Sequence, residues 1–269
     1  MQSKVDVDYL ITTTNRSDIV FYQRMNIHGK TFITNQGTYY GVTEAENCVM
    51  VTTPTRGVGI NRNIGLALTQ AEYALIVDDD MVFYDDANDI IQRALSAHPD
   101  ADVIIFNFDY VKDGKAVRPR MKSAGSINFF NCLNYGICCT LIKNYAIRKN
   151  NISFSTLFGG GCIYSCGEDS LFFLDCVRGR LKVYTYLESI GRNEYRESSW
   201  FQGYNEKFFF DKGAWIACAF PKLRALMKWY FIIRLGHLSS LPLKAVIREM
   251  NAGIKGFNDM RAFHKEEAK

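Results

Sequence analysis

The chain has 269 residues, of which 48% are hydrophobic and 22% are charged, the composition of a globular protein with a sizeable buried core. The formal net charge of +4 is too small to indicate nucleic acid or any other charged partner. The sequence contains no continuously apolar stretch of about 18 residues and no signal-peptide pattern at its start, so neither a transmembrane helix nor a secreted protein is predicted.

Strand-like and helix-like runs alternate through the first 110 residues. Strands are predicted at 7–12, 30–35, 48–52, 73–77 and 103–107, and helices at 18–25, 61–70 and 86–97. Ser17 or Asp18 is the predicted cap of the first helix. This order of elements is typical of an α/β fold with a mostly parallel sheet and helices on both of its faces.

Three consecutive carboxylates, Asp78, Asp79 and Asp80, directly follow the apolar run at 74–77. Ligands of open α/β sheets bind beyond the carboxyl ends of the strands, so this run marks a candidate site. Repulsion between three adjacent carboxylates favours a cation among them, and a hard divalent ion with oxygen ligands suits them best. A solvated acidic turn is the alternative interpretation.

Residues 111–165 are less regular and richer in Gly, Asn, Cys and aromatic residues. The run FGGGCIY at 158–164 either lets the backbone approach a ligand closely or forms a plain flexible turn. Next, Glu168 and Asp169 precede an apolar, helix-like run. Acidic residues at a helix start are favoured by the helix dipole, and a carboxylate that faces a cavity there also suits a general base.

The order and spacing of these motifs resemble the family 2 glycosyltransferases, which have the GT-A fold. The resemblance covers about residues 7–185. It is carried by the strand ending in TTTN at 12–15, the run GINRNIG at 59–65, the three aspartates, and GED at 167–169. More closely, the chain is similar to bacterial transferases that build capsule, O-antigen or exopolysaccharide repeat units.

The resemblance implies that the donor is a nucleoside diphosphate sugar and that the cofactor is Mg²⁺ or Mn²⁺. Asp80 would bind the metal ion, and Asp78 would bind it as well or contact the ribose or the sugar. Thr12 and Thr14 would line the base and the ribose, and the fork of Arg62 would reach the phosphate oxygens. The complete set of implied donor-binding residues is Thr12, Thr14, Asn35, Arg62, Asp78 and Asp79.

The resemblance also implies the reacting groups. Asp169 would be the catalytic base, with Glu168 beside it, and would deprotonate the acceptor hydroxyl. The acceptor oxygen would then displace the nucleoside diphosphate in a single step, which inverts the anomeric configuration of the sugar. The sequence shows no Ser or Cys nucleophile with a neighbouring His, so no covalent intermediate is expected.

Two features depart from the family pattern. Many members carry an aspartate after the second strand that reads the base, whereas this chain has Asn35 in the run TNQG at 34–37. An amide can also pair with a uracil edge, and a UDP-linked donor is the expectation. The QxxRW motif is absent and the run SWFQ at 199–202 does not match it, so processive polymerisation is not predicted.

The last third of the chain has a different pattern. Residues 212–248 contain seven Lys and Arg and no Asp or Glu, with aromatic and aliphatic residues between them. Such a stretch is typical of helices that lie in an anionic membrane interface, and packing against the catalytic domain or a partner subunit is the alternative. We predict two domains, 1–205 and 206–269, and a helical extension that holds the protein on the cytoplasmic face of the inner membrane, near a glycan or lipid-linked acceptor.

Two other functions stay open. A sugar-nucleotide-forming nucleotidyltransferase also uses acidic metal sites, but it usually carries a Gly-rich basic loop where this chain reads TTTNRSD at 12–18. A non-catalytic membrane-bound assembly subunit has no need of both acid clusters. The eight cysteines form no CxxC pair and are expected to be reduced thiols, and the four histidines show no ligand spacing. No motif typical of nucleic-acid binding occurs.

Overall fold

The computed structural model describes residues 5–194 and 201–267, with side chains up to residue 263. The described chain forms two compact units, one of residues 5–156 and 168–194 and one of residues 157–167 and 201–267. The predictions for Ser199, Trp200 and the side chain of His264 lie outside the described part. The predicted domain division between residues 205 and 206 stays a prediction.

One mixed sheet forms the frame of the first unit. Its strands are β1 (Val7–Thr14), β2 (Thr31–Gln36), β3 (Gly41–Ala45), β4 (Cys48–Thr53), β5 (Tyr73–Asp78), β6 (Met81–Phe83), β7 (Val103–Lys112), β8 (Lys115–Pro119), β9 (Gly125–Ser126), β10 (Thr140–Lys143) and β11 (Val183–Glu194). They lie in the order β3–β4–β2–β1–β5–β10–β7–β11–β6, with β8 on β7 and β9 on β11. Neighbours among β4, β2, β1 and β5 are parallel, as are β7 and β11, and the other pairings are antiparallel.

The strands at the centre of this sheet are buried on both faces. Every residue of β2 is buried, and β5 is buried up to its last residue, Asp78. Since successive side chains point to opposite faces, both faces must be covered. The helices of this unit are α1 (Val58–Leu68), α2 (Ala87–Ala97), α3 (Asn144–Lys149) and α4 (Glu168–Arg178), with 3₁₀ helices at Val20–Met25 and Cys132–Asn134. The predicted α/β fold, a central sheet flanked by helices, is confirmed. The sheet is mixed instead of mostly parallel, because four of its described pairings are parallel and six are antiparallel.

Local structure differs from the sequence prediction at several elements. The helix predicted at 18–25 is a 3₁₀ helix over Val20–Met25. Its N-cap is Ile19 without a side-chain cap, so the predicted cap at Ser17 or Asp18 is wrong, although Asp18 accepts a hydrogen bond from Val20 N at 2.9 Å. α1 begins at Val58 instead of residue 61, because Gly57 adopts a φ of 110° and turns the chain into the helix. The antiparallel strands β3, β6, β8, β9 and β10 were not predicted, since strands this short carry little periodic signal. The 12-residue strand β11 was not predicted either, and two register shifts interrupt its pairing with β7.

The second unit is helical, as predicted for the C-terminal extension. Its helices are α5 (Glu206–Ala219), α6 (Arg224–Leu235) and α7 (Leu243–Glu267), with a 3₁₀ turn at Gly236–Leu238. The Asn205 side chain caps α5 by accepting a hydrogen bond from Phe208 N at 2.9 Å. Within the described ranges, none of the helices combines the length and the apolar character needed to cross a membrane.

The aromatic residues of the basic segment 212–248 divide between the core and the surface of this unit. Trp215 is 2% exposed and Phe231 is 7% exposed, and the Lys212 ammonium lies 5.1 Å from the centre of each ring. Trp229 and Ile233 are 49% and 77% exposed. Trp215 and Phe231 therefore belong to the core, and only the other face of α6 is available for a membrane or a partner.

α5 and α7 approach so closely that glycine is required at their crossing. A Cβ on Gly253 would lie 1.9 Å from Phe210 O, and a Cβ on Gly213 would lie 2.2 Å from Met250 O. Gly256 lies one turn further along α7, and its Cβ would meet only a ring atom of Phe210, at 3.5 Å.

We expect Gly253→Ala to lower the free energy of unfolding by about 1–3 kcal/mol, because the added methyl group forces α5 and α7 apart. Gly256→Ala is the matched control in the same helix. It should be neutral or should stabilise the protein by up to about 1 kcal/mol, since alanine favours a helix more than glycine does. Chemical denaturation followed by circular dichroism measures both variants. Equal destabilisation of the two would show that the close crossing is not the cause.

Candidate active site

The polar ends of three parallel strands lie side by side at one edge of the first unit's sheet. In the strand register, Thr12 of β1 pairs with Asp78 of β5, and Thr13 of β1 pairs with Asn35 of β2. Thr14 follows at the exposed tip of β1. Because parallel strands end at the same edge, the predicted donor-binding residues of β1, β2 and β5 come together there.

The three consecutive aspartates do not converge on one point. Asp79 Oδ2 accepts hydrogen bonds from Thr13 Oγ1 at 2.5 Å and from Arg16 Nη2 at 2.9 Å. Asp80 Oδ1 accepts one from Asn193 Nδ2 at 2.8 Å, and Asp78 Oδ1 lies 3.7 Å from Arg62 Nη2. Among the described residues, no three acidic, Cys or His side chains are placed to hold a metal ion. The expected three-carboxylate cation site is therefore not formed by these side chains alone.

The run at 59–65 lies within α1 and ties this helix to the strand ends. Asn61 Nδ2 donates hydrogen bonds to Thr13 O at 3.1 Å and to Thr34 O at 2.8 Å. Asn63 Nδ2 donates to Phe154 O at 2.9 Å, and Asn63 Oδ1 accepts from Phe154 N at 2.8 Å. Two amide side chains thus hold two strand ends and the backbone of a distant loop against one helix.

Arg62, between these two asparagines, is buried among carboxylates. Its side chain is 7% exposed, and its guanidinium lies over the Phe154 ring, 5.3 Å from the ring centre. Nη1 is 2.8 Å from Asp169 Oδ1 and 3.3 Å from Glu168 Oε1, and Nη2 is 3.7 Å from Asp78 Oδ1. The structure therefore brings together four of the predicted site residues, although the acid pair lies 106 and 107 residues from the arginine in the chain.

The second oxygen of Asp169 has a backbone donor. Ile137 N donates a hydrogen bond to Asp169 Oδ2 at 3.1 Å. The loop that carries this N–H is held by Arg120, whose guanidinium donates to the carbonyls of Gly136 and Cys138. Sequence reasoning missed both contributions. A backbone N–H has no side-chain signal, and Arg120 lies in the irregular region 111–165.

Burial and like charge act together on the acid pair. The pKa of Glu168 is raised to about 7, chiefly by burial and then by the charge of Asp169, while the charge of Arg62 opposes the rise. Burial alone would lower the pKa of Arg62, but the charges of the three carboxylates around it raise that pKa overall, so the guanidinium stays protonated. A carboxyl group that titrates near neutral pH suits proton transfer.

Asn35 is fully buried, and its amide is used within the protein. Its Oδ1 accepts a hydrogen bond from Arg16 N at 3.1 Å, and its Nδ2 donates to Arg16 O at 2.9 Å and to Thr52 Oγ1 at 3.0 Å. Asn35 thus orients the backbone after β1, and its predicted contact with a uracil edge requires these bonds to be exchanged.

Arg16 is a site residue that the sequence prediction missed. Its guanidinium lies over the Phe21 ring at 4.6 Å, its side chain is 43% exposed, and it pairs with Asp79. The signal was an arginine directly after the polar strand end TTTN. Arg16 places a second, accessible positive charge at the strand ends, where Arg62 supplies the buried one.

Comparison with protein-family models finds one that matches much of the first unit. The family model described as "Glycosyl transferase family 2" matches residues 15–163, which is 149 of the 269 residues and more than half of the chain. A comparison with curated protein sequences finds no match.

Solved structures with a similar fold include TarS of S. aureus. A crystal structure of TarS 1–349 in complex with UDP-GlcNAc is 14% identical with a TM-score of 0.57, covering 94% of this chain and 71% of that one. One in complex with UDP has the same identity and TM-score, with coverages of 87% and 73%. A further TarS structure gives 13% identity and a TM-score of 0.54, covering 94% of this chain and 43% of that one. At these identities the likeness shows a shared fold, the GT-A fold expected from the sequence.

We expect Glu168→Gln to stabilise the protein at pH 8 and to leave its stability unchanged at pH 4. The Glu168 pKa is about 7 in the folded protein and has a reference value of 4.5, so the wild type loses stability as the pH rises through this window and the neutral amide does not. The gain at pH 8 should be on the order of 1–3 kcal/mol. Thermal unfolding at the two pH values measures it.

Glu188→Gln is the control for this measurement. Glu188 is exposed and pairs with Arg93, and this hydrogen bond lowers its pKa, so its removal should give no gain at pH 8. An equal gain for Glu168→Gln at pH 4 and pH 8 would show that packing, and not charge, explains the effect.

Proposed function

The chain belongs to glycosyl transferase family 2, and we propose that it is an inverting glycosyltransferase of bacterial surface polysaccharide synthesis. It moves a sugar from a nucleoside diphosphate sugar to a hydroxyl of a glycan or lipid-linked glycan acceptor. The observation that carries the proposal is the cluster around Arg62, where the end of β5 and the start of α4 bring Asp78, Glu168 and Asp169 to one guanidinium. Single-step sugar transfer needs a carboxylate beside the donor and a second carboxylate that acts as the base, both in one site.

The donor site of the proposal is the edge formed by β1, β2 and β5. The residues assigned to it are Thr12, Thr14, Asn35, Arg62, Asp78 and Asp79. TarS, which shares the fold, has been crystallised with UDP-GlcNAc and with UDP, and this supports a UDP-linked donor here. Arg16 joins this set because its guanidinium is accessible at the same strand ends and suits phosphate oxygens.

A divalent ion, Mg²⁺ or Mn²⁺, fits this site when it is bound jointly by carboxylates of the protein and by the donor. Such an ion is typically bound by one or two carboxylates together with substrate phosphates, and not by an all-protein cage. Asp80 is exposed and the Asp78 side chain is 43% exposed, so both are accessible for that mode. When bound, the ion supplies Lewis-acid stabilisation of the leaving diphosphate.

Proton transfer is assigned to the acid pair at the start of α4. Asp169 accepts the proton of the acceptor hydroxyl, the acceptor oxygen bonds to the anomeric carbon, and the bond from that carbon to the diphosphate breaks. The two hydrogen bonds to Asp169, from Arg62 and from Ile137 N, hold its carboxylate in one orientation. Glu168 lies beside it and shares the same guanidinium.

A donor-hydrolysis assay tests the proposal. We expect the protein, incubated with a panel of nucleoside diphosphate sugars and Mn²⁺, to release the nucleoside diphosphate slowly from one donor, because water replaces the acceptor. Excess chelator or Asp80→Ala should abolish this release, as measured by chromatography of the nucleotides. Exchange of pyrophosphate into a sugar nucleotide would indicate a nucleotidyltransferase instead, and full activity in chelator would refute the metal assignment.

The matched variant in this assay is Asp169→Asn, which keeps the shape of the side chain and removes the proton acceptor. Turnover should fall by roughly 10²–10⁴, the usual loss for a general base. Affinity for the donor, measured by calorimetry, should barely change. A fully active Asp169→Asn beside an inactive Glu168→Gln would reverse the two roles.

We also propose that the exposed face of α6 holds the protein on the cytoplasmic face of the inner membrane, near a lipid-linked acceptor. Leu226, Trp229 and Ile233 are 66%, 49% and 77% exposed and lie three and four residues apart, so they share one face of the helix. The basic residues Lys222 and Arg224 precede them at the exposed helix start. An apolar face bordered by cations suits an anionic lipid surface.

We expect the protein to float with anionic liposomes at low salt, and less with neutral liposomes or at high salt, because exposed charges are screened over about 10 Å at 0.1 M salt. Changing Lys222, Arg224 and Lys228 to Glu should release it, since each cation near the surface contributes about 1 kcal/mol. The control makes the same charge change at the exposed Lys112, Lys115 and Lys122 of the first unit and should still float. Release of both variants, or a wild type that never floats, would refute a membrane site on α6.

A further inference from the structure

The surroundings of Arg62 are not those of a solvent-accessible arginine that is free to bind phosphate. Its side chain is 7% exposed, and both terminal nitrogens face carboxylates, Nη1 those of Asp169 and Glu168 and Nη2 that of Asp78. A donor phosphate could pair with Nη1 of this guanidinium only by displacing Asp169 and Glu168, whose side chains are 30% and 13% exposed. Such displacement would leave carboxylates without their cation, which is strongly unfavourable.

The guanidinium of Arg62 also packs on a pair of stacked aromatic rings. Its guanidinium lies over the Phe154 ring, and that ring stacks on Phe172 at a centroid distance of 4.4 Å and an interplanar angle of 9°. Phe172 belongs to α4, the helix that begins with the acid pair, and Asn63 of α1 clamps the Phe154 backbone. The guanidinium is thus fixed relative to both helices, which is the arrangement of a support and not of a mobile ligand-binding arm.

We propose that Arg62 is a positioning residue, which acts on the reaction by holding Asp169 and Glu168 in place beside Asp78 and not by binding the phosphates of the donor. The inference rests on the proposed function. It replaces the donor-binding role that the sequence resemblance implies for this arginine, and it removes Arg62 from the residues assigned above to the donor site. The positive charge of Arg62 supports the same role. A neighbouring cation favours the ionised form of a carboxyl group, which is the form that accepts a proton.

Two substitutions separate geometry from charge. Arg62→Lys keeps the charge but loses the fork that bonds two acids at once. We expect kcat to fall by about 10²-fold, the cost of misplacing a reacting group by about 1 Å, while the donor KM stays within about 3-fold. Arg62→Gln removes the charge as well. The acidic limb of its pH–rate profile should move upward by about one pH unit or more, because a carboxyl group ionises less readily when the neighbouring cation is lost.

The assay uses the sugar nucleotide that the wild type hydrolyses in the donor panel, and calorimetry with UDP and Mn²⁺ measures nucleotide binding separately. Arg93→Lys is the matched control, since Arg93 forms an exposed ion pair with Glu188 in the same unit, and it should leave kcat, KM and the pH profile unchanged. Thermal unfolding checks that each variant is folded. If Arg62→Gln does not fold, Arg62→Lys, which keeps the buried charge, still decides through kcat and KM.

The outcomes distinguish this inference from the proposed function. A wild type that hydrolyses no donor refutes the proposed function and the inference with it. An active wild type whose Arg62 variants lose UDP affinity and raise the donor KM, with kcat and the acidic limb unchanged, refutes the inference alone. In that case Arg62 is a donor ligand.

Discussion

The pairing of one buried guanidinium with three carboxylates is the interaction on which the site depends. An arginine enters a protein interior only when its charge is matched, and the partners of Arg62 come from the end of β5 and the start of α4. The three acids carry more charge than one arginine neutralises, and the charge of Asp169 adds to burial, which is the main cause of the raised pKa of Glu168. The site therefore has spare negative charge and attracts cationic groups.

Much of this arrangement follows from local sequence signals. An apolar run that ends in aspartates placed Asp78 at the carboxyl end of a buried strand, and an acidic pair before an apolar run placed Glu168 at a helix start. Both depend on patterns within about ten residues. The α/β architecture follows from the same kind of pattern, since alternating strand and helix runs allow few topologies.

Other features of the site depend on contacts between segments that are distant in the chain. Local sequence patterns do not predict these contacts. The divergence of the three aspartates is set by the turn after β5 and by partners from elsewhere in the chain, namely Thr13 of β1, Arg16 just after β1 and Asn193 of β11. The backbone N–H of Ile137 has no residue-type signal. In the C-terminal segment, composition alone does not separate the buried Trp215 from the exposed Trp229, because only the packing of α5 and α6 decides which face is inside.

The Phe154 ring links the two sides of the site mechanically. It lies between the guanidinium carried by α1 and the Phe172 ring carried by α4, with its backbone clamped by Asn63. Stacked rings at van der Waals contact resist compression, so a shift of either helix is passed to the other. These contacts fix the position of the guanidinium relative to the helix that carries the acid pair. Little reorganisation is needed when charge moves during a reaction there.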